Sequence, residues 1–250
     1  MRMVLLTALG IGGATIIGAA IGFCVKNVSH KVNDMILSFA AGIMLAAAVN
    51  GLIAPAFELV SGGRILIPVL GIFVGAVFLN LMDHLTPHLH KLVGKESEEH
   101  GANKNLSRSL LFVLAVAIHN LPEGMAAGVS FGNEDVSAAI TVAVGIALQN
   151  IPEGIVTVSP LVMSGVGRGR AFVLAATTGL IEVAGTLLGF MVAEVSQAVL
   201  PFALAFAGGT MLYIISDEMI PETHSHGYER ISTYSLLVGF TLMVVMDMVL

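Results

Sequence analysis

Two short stretches carry residues that could do chemistry. His119-Asn120-Leu121-Pro122-Glu123-Gly124 sits inside a membrane-length apolar run, and thirty residues later Gln149-Asn150-Ile151-Pro152-Glu153-Gly154 nearly repeats it. An ionisable side chain in a bilayer-spanning segment is expensive and marks a functional site by default. On a helix, His119 and Glu123 stand at i and i+4 and Asn120 and Glu123 at i and i+3, so the three share a face. Gln149, Asn150 and Glu153 repeat that geometry. Pro122 and Pro152 cannot donate backbone hydrogen bonds, and each ring crowds the carbonyl four residues earlier, freeing those of Ile118 and Leu148. At membrane depth a freed carbonyl must be met by a neighbour, water or an ion. Gly124 and Gly154 permit close approach of another helix, and a third carboxylate, Glu182, lies in a further apolar run. Any one of these polar groups alone would read as a helix-packing residue; together they read as a buried cation site. Imidazole, carboxylate and amide oxygen without thiolate suit Zn²⁺, Fe²⁺ or Mn²⁺ and disfavour Cu⁺. Sites for Mg²⁺ or Ca²⁺ are ordinarily all oxygen.

The elements that must position these groups are membrane helices. The 250 residues are 56% hydrophobic and 11% charged, with a mean hydropathy of +0.92, where soluble domains carry about 25% charged residues. The expectation is an all-α integral membrane protein forming one polytopic domain over 1–250. Eight spans are predicted at Met3–Val25, Asp34–Val60, Ile65–Met82, Ser107–Phe131, Val136–Ser164, Ala171–Ala193, Leu200–Ile220 and Thr233–Leu250. The first run is long enough to span and is followed by basic residues, so it reads as a span rather than a cleaved leader. The formal charge of −6 argues against a nucleic-acid partner. The lone Cys24 excludes a disulfide framework and a thiolate metal site.

Orientation follows from the basic residues. Lys26, Lys31, Lys91, Lys95, Lys104, Arg108, Arg168, Arg170 and Arg230 fall on one side, against Arg2 and Arg64 on the other. The positive-inside rule places the larger group in the cytoplasm, so both termini face outward from a multi-pass cell membrane protein. Counted from the nearest charged or turn residues, Glu123, Glu153 and Glu182 all come near the bilayer middle. Helices four and five cross in opposite directions, so the two motifs meet head to tail. This is the inverted-repeat arrangement of transporters, with the metal site between helices 4, 5 and 6. The longest connection, about 83–106, is predicted to be cytoplasmic and carries His84, His88, His90 and His100 with Glu96, Glu98 and Glu99, a set suited to exchangeable metal capture.

Over essentially its whole length the sequence resembles the ZIP (Zrt-, Irt-like) family of divalent-metal transporters in its short bacterial form, through the paired Asn-x-Pro-Glu-Gly motifs at 120–124 and 150–154. The resemblance implies that His119, Glu123, Gln149 and Glu153 form one site. It implies that Asn120, Asn150 and Glu182, sharing Glu123 and Glu153, form a second beside it. Other members often have His where Gln149 stands and Asp where Asn150 stands. The resemblance further implies an elevator-like arrangement, with helices one, four, five and six carrying the metal against helices two, three, seven and eight, often within a homodimer. Met44, Asn50 and Glu58 on helix two, and Asp217, Glu218, Glu222, His224 and His226 at the end of helix seven, then lie along the path.

The expected function is transport of divalent transition-metal cations, zinc first and iron or manganese as alternatives, into the cytoplasm through a midplane binuclear-type site. The ion is cargo, the partners are the ion and the lipid bilayer, and no cofactor is expected. An intramembrane metalloenzyme would need an open metal position with an activated water, and the chain has no His-Glu-x-x-His. A metal-sensing receptor would need an output domain. No Gly-x4-Gly-Lys-Ser/Thr loop for ATP is present. Three carboxylates converging on one ion are expected to exchange protons for metal.

Overall fold

The computed structural model describes residues 1–25, 28–85, 118–133, 135–163 and 166–249. Among the described residues eight helices are seen: α1 (Arg2–Cys24), α2 (His30–Glu58), α3 (Leu66–Leu85), α4 (118–130), α5 (Val136–Met163), α6 (Arg168–Val195), α7 (Leu200–Thr223) and α8 (Glu229–Val249). No strand occurs among the described residues. All but α4 are long and apolar enough to cross a membrane by their described residues alone. The chain is thus an all-α, multi-pass membrane protein, with helices within a few residues of the predicted spans. The beginning predicted for the fourth span lies outside the described residues. So does the histidine-bearing connection, apart from the backbone of 83–85.

Local sequence explains where helices begin and turn. The Ser29 hydroxyl accepts the Val32 N–H at 3.4 Å at the start of α2, and the Asp135 carboxylate accepts the Ala138 N–H at 3.0 Å at the start of α5. Each satisfies a backbone donor that the first helical turn leaves unpaired. Gly62 and Gly227 adopt positive φ, +58° and +86°, where the chain turns into α3 and α8.

Proline has two outcomes. In α2 the turn Ala47–Ile53 widens to π-helix two residues before Pro55, and in α7 Ile215–Met219 does so two residues before Pro221. The residue before each proline bonds five residues back, Ala54 to Val49 and Ile220 to Ile215. Widening carries the chain past the carbonyl that the ring would strike. Helices α4 and α5 instead continue as α-helix through Pro122 and Pro152.

Close packing sorts the helices into two sets. In one, α1 crosses α5 and α6 through glycines set against backbone: Gly12 against Gly179, Gly18 against Ile151 and Gly154, and Gly22 against Ile155. Helix α6 meets α4 in the same way, Gly124 against Glu182, Gly185 against Leu121 and Gly189 against Met125. In the other set, α2 meets α8 through Gly42 and Gly239, and α3 meets α7 through Gly71, Gly75 and Gly209. Where α5 faces α2 and α8, the glycines meet side-chain ends, Gly51 the methyl of Val142 and Gly145 the thioether of Met243. Backbone-to-backbone crossings of small residues are how membrane helices pack without a hydrophobic driving force. Met44, Leu52, Ile146, Met211 and Ile11 form the core between the sets. Outward-facing Phe73, Leu70, Tyr234 and Val238 on α3 and α8 supply the lipid-facing apolar surface.

A Cβ at Gly12 would strike the Gly179 carbonyl, whereas one at Gly13 meets nothing within 4 Å. Gly12→Val is therefore expected to destabilise the protein by about 1–3 kcal/mol and Gly13→Ala to be neutral. Thermal unfolding of both variants in the same detergent checks the contrast.

Candidate metal centre

The glycine crossings align two polar residues that sequence distance hides. Helix α1 carries Gly12-x2-Thr15-x2-Gly18-x3-Gly22, and α6 carries Gly179-x2-Glu182-x2-Gly185-x3-Gly189. Gly12 and Gly179 touch one another. Gly18 then rests on the residue after Asn150, and Gly185 on the residue after Asn120. Gly22 and Gly189 rest on the residues following the motif glycines, Ile155 and Met125. The pair α1 with α5 thus repeats the pair α6 with α4 contact by contact, and Thr15 occupies on α1 the place that Glu182 occupies on α6. The motif glycines complete the pattern: Gly124 abuts the backbone of Glu182, and Gly154 that of Thr15.

Glu182 is fully buried at the middle of this arrangement. The Thr15 hydroxyl lies 2.8 and 2.7 Å from its two carboxylate oxygens. Asn120 Nδ2 donates to Oε1, and Asn150 Nδ2 donates to Oε2 at 2.7 Å. Asn150 Nδ2 also reaches the Ile11 carbonyl at 3.4 Å. Equivalent asparagines of the two motif copies therefore bind opposite oxygens of one carboxylate. A buried charge is tolerated only when hydrogen-bonded or paired, and here neutral donors from three helices do that.

The remaining motif residues gather alongside. Glu123 is buried beside His119 and Gln149, and Glu153 lies within electrostatic range of Glu123 and Glu182. Glu123 Oε2, Gln149 Oε1 and Asn150 Oδ1 are buried acceptors with no hydrogen-bond partner among the described residues. Unsatisfied oxygens in a buried cluster are the groups a cation would take up. The Nε2 of His119 lies 2.8 Å from Glu218 Oε1 on the π-turn of α7. Among the described residues no three His, Cys, Asp or Glu side chains stand together as a finished ligand set. What converges is carboxylate with amide and hydroxyl.

The path residues divide. Met44 is fully buried in the central core, Asn50 lies on the π-turn of α2, and Glu58 is exposed at the end of that helix. On α7 Glu218 and Glu222 are half-buried and Asp217 exposed. His224 is tied to the Ile220 carbonyl at 2.9 Å and the Thr233 hydroxyl at 3.3 Å, and His226 to the buried Asp34 at 3.1 Å. Thr15 and Asp34 were not among the residues singled out by type and spacing. The Gly-x2-polar-x2-Gly-x3-Gly repeat is the signal that finds Thr15.

Comparison with known proteins agrees with this architecture. Residues 90–247 match the ZIP zinc transporter family. The zinc transporter GufA of Myxococcus xanthus is 42% identical, the match covering 98% of this chain and 97% of that protein. The zinc transporter ZIPB of Bordetella bronchiseptica is 36% identical over 94% of this chain and 77% of its own length, and a zinc transporter ZupT of Chlorobaculum parvum is 35% identical over 94% and 92%. The chain belongs to the ZIP family.

Replacing Asn150 by aspartate removes a donor from Glu182 and sets a second carboxylate against it. Asn150→Asp is expected to lower the stability of metal-free protein by about 1.5–3 kcal/mol, the loss of one hydrogen bond to a charged group. Added Zn²⁺ should restore it. Thermal unfolding with and without zinc, compared with wild type, reads both effects.

Proposed function

We propose that this ZIP family member carries Zn²⁺ across the cell membrane into the cytoplasm, with Fe²⁺ or Mn²⁺ as alternative cargo. The observation carrying the proposal is the convergence of both motif copies on Glu182, beside buried oxygens of Glu123, Gln149 and Asn150 without a partner among the described residues. His119, Glu123, Gln149 and Glu153 supply one subsite. Asn120, Asn150 and Glu182 supply an adjoining one, sharing Glu123 and Glu153. Mixed imidazole, amide and carboxylate ligands suit a borderline divalent ion. Zinc is preferred among these because the similar proteins are named zinc transporters. Inward direction rests on the positive-inside assignment, which puts the Glu218 end of α7 on the cytoplasmic side.

The packing of helices into two sets suits movement of α1, α4, α5 and α6 against α2, α3, α7 and α8. Most glycine contacts within each set are backbone against backbone, while those between the sets include the adaptable Val142 and Met243 side chains. The His119–Glu218 contact joins the sets. His119 must leave Glu218 before its Nε2 can take an ion, and Glu218 is then free to receive an ion released towards the cytoplasm. Metalloenzyme and sensor readings have no comparable support. Assembly as a homodimer belongs to the same proposal and is tested by cross-linking in native membranes.

Glu123→Ala is expected to cut zinc uptake into proteoliposomes by more than about tenfold, since even supporting residues of metal sites act on that scale. The protein should still reach the membrane in normal amount. Near-normal uptake by this variant would sink the proposal. Iron and manganese enter as competitors in the same assay.

Metal and protons compete for these carboxylates and for the imidazole, so ion binding should release protons and weaken as pH falls. A pH dye in weakly buffered detergent solution should report release on zinc addition between about pH 5.5 and 7.5. Zinc binding with a flat dye signal across that range would contradict proton exchange at the site.

A further inference from the structure

We infer that Thr15 is a positioning residue of the metal site: it holds Glu182 by hydrogen bond, so that the subsite of Asn120, Asn150 and Glu182 stays closed and the resting protein carries one ion. This rests on the proposed transport function and deepens it by stating how many ions the site takes and what sets that number. The first support is geometric. The Thr15 hydroxyl sits 2.8 and 2.7 Å from the two oxygens of Glu182, so it spans both edges of the carboxylate. With Asn120 on one oxygen and Asn150 on the other, both carboxylate oxygens already accept neutral donors. An ion bridging Asn120, Asn150 and Glu182 would have to turn these donors away, because an amide nitrogen does not ligate a cation and the Thr15 hydroxyl is engaged with both oxygens of Glu182.

The second support is independent. Within the cluster, the buried oxygens without a partner among the described residues are Glu123 Oε2, Gln149 Oε1 and Asn150 Oδ1; none belongs to Glu182, and Asn150 meets Glu182 through its Nδ2 instead. Open coordination capacity therefore lies on the Glu123 side of the cluster. The third support is the repeat itself: the Gly12–Gly179 crossing sets Thr15 opposite Glu182 three residues on along each helix. A carboxylate at both places would make the centre acidic from two sides and invite a second cation. With threonine at one of them, the second side becomes a donor. Thr15 is held there by backbone packing of Gly154 against its own carbonyl. Its hydroxyl is thus aimed by the crossing and not by a chance rotamer.

The test is equilibrium dialysis of purified full-length protein in detergent against buffered Zn²⁺, with bound metal counted by atomic emission. Wild type, Thr15→Val, Thr15→Ser and Glu123→Ala are compared. Wild type should saturate at one ion per chain. Thr15→Val keeps the shape and leaves Glu182 held only by the amides of Asn120 and Asn150, which can turn their oxygens to an ion; it should therefore take a second ion, raising the plateau towards two. Thr15→Ser keeps the hydroxyl and should stay at one, which a purely steric role for the methyl would not predict. Two tight ions in wild type, or none, would overturn the inference. An unchanged plateau in Thr15→Val would do so too, and Thr15→Ala carries the same expectation if the valine variant does not accumulate. Wild-type-like binding by Glu123→Ala counts against the assigned transport site but leaves the Thr15 result standing, so the two failures are distinguishable.

Discussion

A carboxylate at the centre of a membrane protein needs compensation, and the way Glu182 receives it shapes everything around it. Moving an isolated carboxylate out of water into hydrocarbon is prohibitively unfavourable, so the group persists only where donors surround it. Those donors arrive from α1, α4 and α5 as a hydroxyl and two amides. Four helices are thereby tied at one point. The tie also leaves the excess of acceptor oxygen on the Glu123 side, where an ion has most to gain.

Bringing three donors onto one carboxylate requires helix axes closer than ordinary side chains allow. Glycine at each crossing meets that requirement, and the crossings come in matched pairs: α1 on α5 repeats α6 on α4. The motif glycines, Gly124 and Gly154, lie against the backbones of Glu182 and Thr15 themselves, so packing and chemistry share the same residues. The set holding the site is packed backbone against backbone for this reason. Its contact with the other set includes side-chain ends, and the His119–Glu218 pair is a polar link across it.

Prolines play different roles in the two sets. In α2 and α7 they are relieved by π-turns, which place Asn50 on one and Asp217 and Glu218 on the other. In α4 and α5 the helix continues through them, and the motif side chains keep the regular spacing that lets Asn120 and Asn150 address the same carboxylate. Widening at the motif would have rotated the asparagines away from their glutamates by part of a turn.

Local rules account for what could be read directly from the chain. Apolar runs of membrane length located the helices to within a few residues, because the hydrocarbon thickness imposes span length whatever the tertiary contacts. The i, i+3 and i+4 spacing placed His119, Asn120 and Glu123 on one face because helix periodicity is a property of the backbone alone. Partnerships were a different matter. Thr15 is a common residue in an apolar span, and nothing within one helix says that it will meet Glu182, 167 positions away. The contact of His119 Nε2 with Glu218 likewise depends on a helix nearly a hundred residues further along. Hydrogen-bond partners at such separation are chosen by which helices cross and at which glycine, and that choice exists only once the helices are packed together.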